Sequence, residues 1–299
     1  MTSVDPPFAT ALDVPVAGGR LAVALAGRAG GPVVLAAHGI TASHRAWVVV
    51  ADRLGPDVAC LAPDLRGRGQ SASLPGPYGI GAHVEDLVAV LDHIGAVNAT
   101  LVGHSMGAYV AARLAATRPE RVSALVLVDG GLPLPAPAGA DPDEVLAATL
   151  GPALARLSQT FASRQEHRDF WRAHPAFAGD AWTPAVEAYV DADLTGTEPE
   201  LRSRVSPEAV RADGRDLLVD AGVRHAVLSV SCPTVLLRAP RGLLDQPDPL
   251  LPDDVVADHV AQVPGLIEEV VPDTNHYRIV LCDREAAVVA ARIRTAAGL

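Results

Sequence analysis

The chain has no lysine; all 24 of its Lys or Arg positions are arginine. That closes two large classes of chemistry. A Walker-type phosphate loop needs its lysine, and pyridoxal-phosphate or Schiff-base catalysis needs a lysine amine. Cysteine is scarce as well. Cys60, Cys232 and Cys282 lie far apart, with no Cys-x-x-Cys pair among them. The pattern fits a reduced, cytoplasmic chain and gives no sign of a disulfide framework. No apolar run approaches the ~20 residues of a membrane span. Met1–Thr10 lacks the basic and apolar regions of a signal peptide. Positive charge is in deficit: the net charge of −11 argues against nucleic acid and anionic membrane as partners. A small molecule is the expected partner, and the oligomeric state stays open.

What is present is ordinary globular material. The 299 residues are 49% hydrophobic and 20% charged, enough for one large domain, or one domain with an inserted subdomain. Thr10–Val16 and Leu21–Ala26 read as two short strands around a Gly-Gly turn, the first kept near an edge by Pro15. The runs Pro32–Ala37, Asp57–Ala62, Ala99–Val102 and Val122–Val128 are continuously apolar, as in strands buried on both faces. Helix-compatible stretches alternate with them: Ala46–Leu54, Ile80–Ile94 and Ala108–Thr117. Such alternation predicts a mostly parallel sheet covered on both sides.

The pattern breaks at about Leu132. Pro133–Pro137 reads as a linker, and helical segments follow near Pro142–Leu157, Arg164–Ala173, Pro184–Leu194 and Pro207–Ala221. Phe161, Phe170, Trp171 and Trp182 all fall in this block. Strands return at Pro233–Arg238 and Leu266–Val271, both read as buried, and a helix closes the chain over Arg284–Ala297. The expected division is a core of residues 1–131 and 228–299 with a helical lid, 132–227, inserted in it.

The most informative stretch is Gly103-His104-Ser105-Met106-Gly107. A buried strand enters it and an Ala-rich helix leaves it, the context of a nucleophile elbow. The turn is so sharp that Gly103 and Gly107 must lack side chains, and it presents Ser105 at a helix N-terminus. A serine hydroxyl is a weak nucleophile at neutral pH. It needs a base, and that base needs a partner to fix its tautomer. Ten histidines are available. His276 follows the last strand in a short polar loop and is the best placed. His104 adjoins the serine and is read as pointing inward. His83 and His93 lie on a helix, and His44, His167, His174, His225 and His259 read as surface or lid.

Four motifs occur in order: His38-Gly39 after a strand, Pro63-Asp64-Leu65-Arg66-Gly67-Arg68-Gly69-Gln70-Ser71, the elbow, and Asn275-His276. In this the chain resembles the α/β-hydrolase family over most of its length outside the lid block. The resemblance implies an α/β fold with a doubly wound, mostly parallel sheet. It also implies a serine hydrolase with Ser105 as nucleophile and His276 as base. The backbone N–H groups of Ile40 and Met106 would then form an oxyanion hole. The acid has more than one candidate. Asp129 ends the strand after the elbow helix; Asp248 begins an Asp-x-x-x-Pro segment; Asp245 comes third. Asp64, Arg66, Gly67 and Gly69 read as turn-building residues.

The expected reaction is cleavage of a carboxylic ester or lactone with an apolar part, through an acyl-enzyme, needing neither metal nor cofactor. Phe161, Trp171 and Trp182 are expected to line the substrate pocket. Carbon–carbon bond hydrolysis, cofactor-free perhydrolysis, acyl transfer, and a non-catalytic small-molecule receptor are the alternatives. Family members that open epoxides or remove halides use an aspartate nucleophile, which Ser105 argues against.

Overall fold

The computed structural model describes residues 7–135 and 139–299. Most of Met1–Thr10, and residues Ala136 and Pro137 of the linker, fall outside that range. The strands are β1 (Thr10–Val16), β2 (Gly19–Ala26), β3 (Val33–Ala37), β4 (Ala59–Pro63), β5 (Ala99–His104), β6 (Val122–Val128), β7 (Leu194–Thr195), β8 (Arg202–Ser203), β9 (Thr234–Arg238) and β10 (Leu266–Val270). The helices are α1 (Val48–Leu54), α2 (Ile80–His93), α3 (Met106–Thr117), α4 (Pro142–Leu157), α5 (Arg164–Arg172), α6 (Pro184–Asp191), α7 (Pro207–Val219), α8 (Ala221–Arg224), α9 (Asp253–Gln262), α10 (Arg278–Leu281) and α11 (Asp283–Ala296).

Eight strands form one sheet in the order β1-β2-β4-β3-β5-β6-β9-β10. β1 and β2 pair antiparallel, as do β2 and β4; from β4 to β10 every pairing is parallel. The central strands are buried along their length apart from the half-buried Val33, which is why they carry apolar residues on both faces. One face packs on α2 and α3 through Val84, Leu87, Val110 and Leu114. The other packs on α1 and α11 through Val50, Leu54, Val289 and Ile293. The strand order reverses between β3 and its neighbours β4 and β5. Such a switch point opens a crevice at the carboxyl ends of the strands.

Between β6 and β9 the described chain is mainly helices and loops, with the two-residue pairing of β7 with β8 and a single bridge between Phe161 and Leu201. Side chains suited to helix starts fix four of these helices. Asp141, Ser163, Thr183 and Ser206 each accept a hydrogen bond from an N–H of the first turn of α4, α5, α6 and α7. Pro142, Pro184 and Pro207 occupy the next position, where a missing N–H costs nothing.

Two expectations need correction. β10 is not a buried strand but the sheet's edge, hydrogen-bonded on one side only, with Ile267 62% and Val270 45% exposed. The helix α9 between β9 and β10 was not anticipated. Its surface is mostly polar, with Val256 and His259 buried, so its apolar signal is weak. A parallel pairing of β9 and β10 nonetheless demands a crossover of this kind. The cysteines are free thiols; burial pushes that of Cys60 up to about 12. No helix among the described residues is long and apolar enough to cross a membrane.

Candidate active site

Ser105 sits between β5 and α3 with φ 55° and ψ −125°, a conformation that a non-glycine residue rarely adopts. The surroundings enforce it. A Cβ on Gly103 would stand 2.1 Å from the Gly107 carbonyl oxygen, and one on Gly107 would stand 2.1 Å from that of Ala37. Strand, helix and the neighbouring strand β3 are in backbone contact there, so neither glycine tolerates a side chain. The Ser105 N–H donates to the Val128 carbonyl at 3.0 Å, which ties the turn to the end of β6.

The next residue after β6 is Asp129, fully buried and also at positive φ, 47°. Its Oδ1 accepts from the Ala239 N–H at 3.1 Å, at the end of β9. Its Oδ2 accepts from His276 Nδ1 at 2.6 Å. Because an ionised carboxylate can only accept, Nδ1 carries the proton and Nε2 keeps its lone pair. His276 and Ser105 line one cavity. His104 Nε2 donates to the His276 carbonyl at 2.8 Å, holding the loop from below. Burial, followed by the proximity of His276, pushes His104 well below the ordinary imidazole range. It is therefore a neutral brace, with its inward direction as expected.

Of the three candidate acids, the structure brings Asp129 to the base and leaves the others elsewhere. Asp248 is exposed. Asp245 is taken by Arg241 at 2.9 Å and accepts from Asn275 Nδ2 at 3.0 Å, bracing the histidine loop from its other side. The loop after β9 turns outward before Asp248, whereas β6 ends directly beside the histidine loop.

The turn after β3 carries the other half of the site. A Cβ on Gly39 would lie 3.7 Å from Ser105 Oγ, so this backbone runs alongside the serine. The Gly39 carbonyl accepts from His38 Nδ1 at 2.8 Å and from the Ala42 N–H at 3.1 Å. His38 Nε2 in turn accepts from the Leu65 N–H at 3.0 Å. Burial lowers His38 to about 4, so it is neutral in this role. Since a trans peptide is planar, fixing the Gly39 carbonyl also fixes the Ile40 N–H in the opposite direction. Met106 begins α3, where an N–H has no intrahelical acceptor.

Two cavities of about 30 Å³ each flank Ser105 and share Ile40, Ser105, Leu150, Leu243 and His276. One adds Thr41, Tyr189, Tyr277 and Val280. The other adds leucines from the inserted helices, Leu146 on α4 with Leu217 and Leu218 on α7, together with Tyr109 and Leu250. Phe161, Trp171 and Trp182 line neither, contrary to expectation. Phe161 and Trp171 are buried in the helical block instead, and Trp182 is half-buried there. Phe161 packs with Leu194 and Leu201, edge-on to Phe170 at 5.8 Å. Trp171 lies under the Arg156 guanidinium at 5.2 Å and borders a separate small cleft with it. Trp182 sits under Arg172 at 4.7 Å. A small helical layer needs its bulkiest residues for its own core. The lining falls to aliphatic residues such as Leu150 and Leu243, which sequence alone does not set apart; Tyr277, next to His276, was the one legible by adjacency.

Asp64, Arg66 and Gly69 do build the turn after β4. Asp64 accepts from the His44 N–H at 2.7 Å, His44 Nδ1 at 2.9 Å and the Gln70 N–H at 2.8 Å. Arg66 grips Asp86 through two bonds of 2.8 and 2.6 Å. His167 and His174 lie in the helical block, where they are buried, and His44 and His259 are buried rather than at the surface.

An eight-stranded, mostly parallel sheet with a serine on its central elbow defines an α/β enzyme-type fold of the hydrolase kind. A family model for the alpha/beta hydrolase fold matches residues 32–278, and the chain belongs to that family. Among curated proteins it is similar to the lipase LipV of Mycobacterium tuberculosis, 44% identical over 108 residues, 36% of this chain and 41% of that protein. It is also 36% identical over 116 residues to the putative carbamate hydrolase RutD of Klebsiella pneumoniae, covering 38% and 44% of the two chains. A haloalkane dehalogenase of Bradyrhizobium diazoefficiens is 36% identical over 121 residues, 40% of this chain and 39% of that protein. The matches thus span roughly two-fifths of these relatives' length. Among solved structures, E-2-(acetamidomethylene)succinate hydrolase superposes with a TM-score of 0.80 at 22% identity, covering 97% of this chain and 99% of that one. A thermophilic esterase from Thermogutta terrifontis gives 0.68 at 21% identity, covering 96% and 99%. At these identities the likeness is one of fold.

Proposed function

We propose that the protein is a serine hydrolase that cleaves a carboxylic ester or lactone with a compact apolar part. The observation that carries this is the Asp129–His276 pair at 2.6 Å, facing the same cavity as Ser105 on its strained elbow. In the proposed reaction His276 Nε2 takes the hydroxyl proton as Ser105 Oγ attacks the carbonyl carbon. The Ile40 and Met106 N–H groups receive the oxyanion. The carbon–oxygen bond breaks, and His276 returns the proton to the leaving alcohol. Water, deprotonated by His276, then releases the acid and restores Ser105. Asp129 stays ionised throughout and steadies the imidazolium.

The leucine-lined cavity favours an apolar substituent, and its size favours a small one: ~30 Å³ holds only two or three waters. The inserted helices 132–227 act as the lid in this reading, because α4 and α7 supply that wall. The test is labelling with a fluorophosphonate, located by mass spectrometry, alongside turnover of short p-nitrophenyl esters. Label on Ser105 and turnover lost in Ser105→Ala are expected. A wild-type protein that binds esters but neither labels nor turns over is a receptor, and the proposal fails.

A further inference from the structure

We infer that Asp213, on the inserted helix α7, is a positioning residue for the oxyanion hole and acts through Arg68. The chain of contacts is continuous and sealed from solvent. Arg68 Nε donates to the Ile40 carbonyl at 2.9 Å, and Nη1 donates to the Arg66 carbonyl at 2.9 Å. The same Nη1 lies 2.5 Å from Asp213 Oδ2. Asp213 Oδ2 also accepts from His83 Nε2 at 2.9 Å, and Oδ1 accepts from the Gly79 N–H at 2.7 Å. Arg68, Asp213 and His83 each show 0% exposure.

Ile40 is therefore held on both sides of its Cα. His38 fixes the peptide before it, and Arg68 fixes the peptide after it. Two pinned peptides restrict the direction of the Ile40 N–H, in a turn that runs alongside the serine, where a Cβ on Gly39 would lie 3.7 Å from Ser105 Oγ. Arg68 by itself would be a buried cation in an apolar setting, free to reorient toward any carbonyl. Asp213 neutralises it and selects the rotamer that reaches Ile40. Burial opposes the ionisation of Asp213, but His83, Arg68 and the Gly79 N–H outweigh it and hold its carboxyl at about 2. The charge is thus present throughout the working range of a neutral enzyme. A residue of the helical block contributes to the chemistry without lining the cavity.

The inference rests on the serine-hydrolase reading above, and one experiment separates the two. Fluorophosphonate titration of Ser105 counts competent sites, and kcat on p-nitrophenyl butyrate is expressed per site. Asp213→Asn keeps the shape and removes the charge. It is expected to lower kcat per site roughly 10–100-fold, less than outright loss of an oxyanion donor, with KM within about two-fold. Affinity for an alkylboronic acid, whose tetrahedral adduct places an oxygen in the hole, should fall by a similar factor. A merely structural role would lower the melting temperature and the titratable fraction while leaving kcat per site intact. Arg68→Lys carries the test if Asp213→Asn does not fold: it keeps the charge opposite Asp213 and removes the Nε–H that holds Ile40. An unchanged kcat per site and boronate affinity in either folded variant overturns the inference. A wild-type protein that takes no label overturns the serine-hydrolase reading, and the inference with it.

Discussion

The molecule places a buried histidine–aspartate pair in two regions with different results. At the end of the sheet, His276 meets Asp129 at 2.6 Å; at the seam between sheet and inserted helices, His83 meets Asp213 at 2.9 Å. The two pairs share their chemistry. They differ in what surrounds them. The first faces a cavity that also holds Ser105, so in the proposed mechanism its second nitrogen takes the hydroxyl proton. The second is closed off with Arg68, so its carboxylate serves a permanent cation. A histidine–carboxylate pair can serve as a base where something reactive faces the free nitrogen, and is a strut where a guanidinium shares the carboxylate oxygen that the histidine meets. The pair His44–Asp64 belongs with the second kind, since its carboxylate is spent on the turn after β4.

Substitutions at the first pair should produce the largest effects. Ser105→Ala and His276→Ala are each expected to reduce kcat on the order of 10⁴–10⁶-fold, read by ester turnover. Asp129→Asn should cost about 10³–10⁴-fold by favouring the wrong tautomer, while Asp248→Asn stays within about two-fold. Equal losses for Asp129→Asn and Asp248→Asn would remove the contrast on which the assignment stands.

At the second pair the larger effect of a harsher change is on stability. Asp213→Ala leaves Arg68 buried without its counterion and should cost about 3–5 kcal/mol in urea unfolding. A loss below about 1 kcal/mol would mean that Arg68 finds water or another acceptor, and that the seam is not closed.

Acid should also separate the regions by their histidines. His38, His167 and His174 are lowered to about 4 from 6.5, burial being the leading cause for each. Between those values the unfolded chain binds protons that the folded one does not. Stability is then complete above about pH 6.5 and declines as pH falls toward 4, by roughly 3 kcal/mol for His38 alone. The Asp213 pair acts in a lower window, because its carboxyl must be protonated below about 3.8 and toward 2. Chemical unfolding at pH 7.5, 5.5, 4.5 and 3 tests the order; a flat profile from 7.5 to 4.5, or no further loss at pH 3, contradicts it.

The smallest effects concern specificity. Leu150→Ala, which enlarges both cavities, should shift the preferred acyl length by one or two carbons, whereas Trp182→Phe should leave the acyl series within about two-fold. The reverse result would return the aromatic residues to the pocket.

The fold was largely legible because its signals are local. β1 and β6 end at the residues where their apolar patterns end, and α4 and α7 begin where a capping side chain precedes proline. Where the signal was weak or shared, legibility stopped. The helix α9 hides behind a polar surface, and β10, with Glu268 and Glu269 at its middle, is an edge although it was read as buried. Phe161, Trp171 and Trp182 are as apolar as pocket residues would be, but burial in a core and burial around a substrate look alike along a chain.

By itself the sequence singled out Ser105 and His276, the nucleophile and base of the proposed mechanism. The glycines at 103 and 107 permit one backbone path, and backbone geometry depends on near neighbours. It also determined that lysine chemistry is closed. Only the tertiary structure decided which carboxylate meets His276. Asp129 and Asp248 differ in sequence distance and motif, yet hydrogen bonding depends on which strand end lies beside the histidine loop. The parallel pairing of β6 with β9 settles that, placing the Ala239 N–H and His276 Nδ1 on the two oxygens of Asp129. The same holds for Asp213, 145 residues beyond Arg68 in the chain and 2.5 Å from it in the fold.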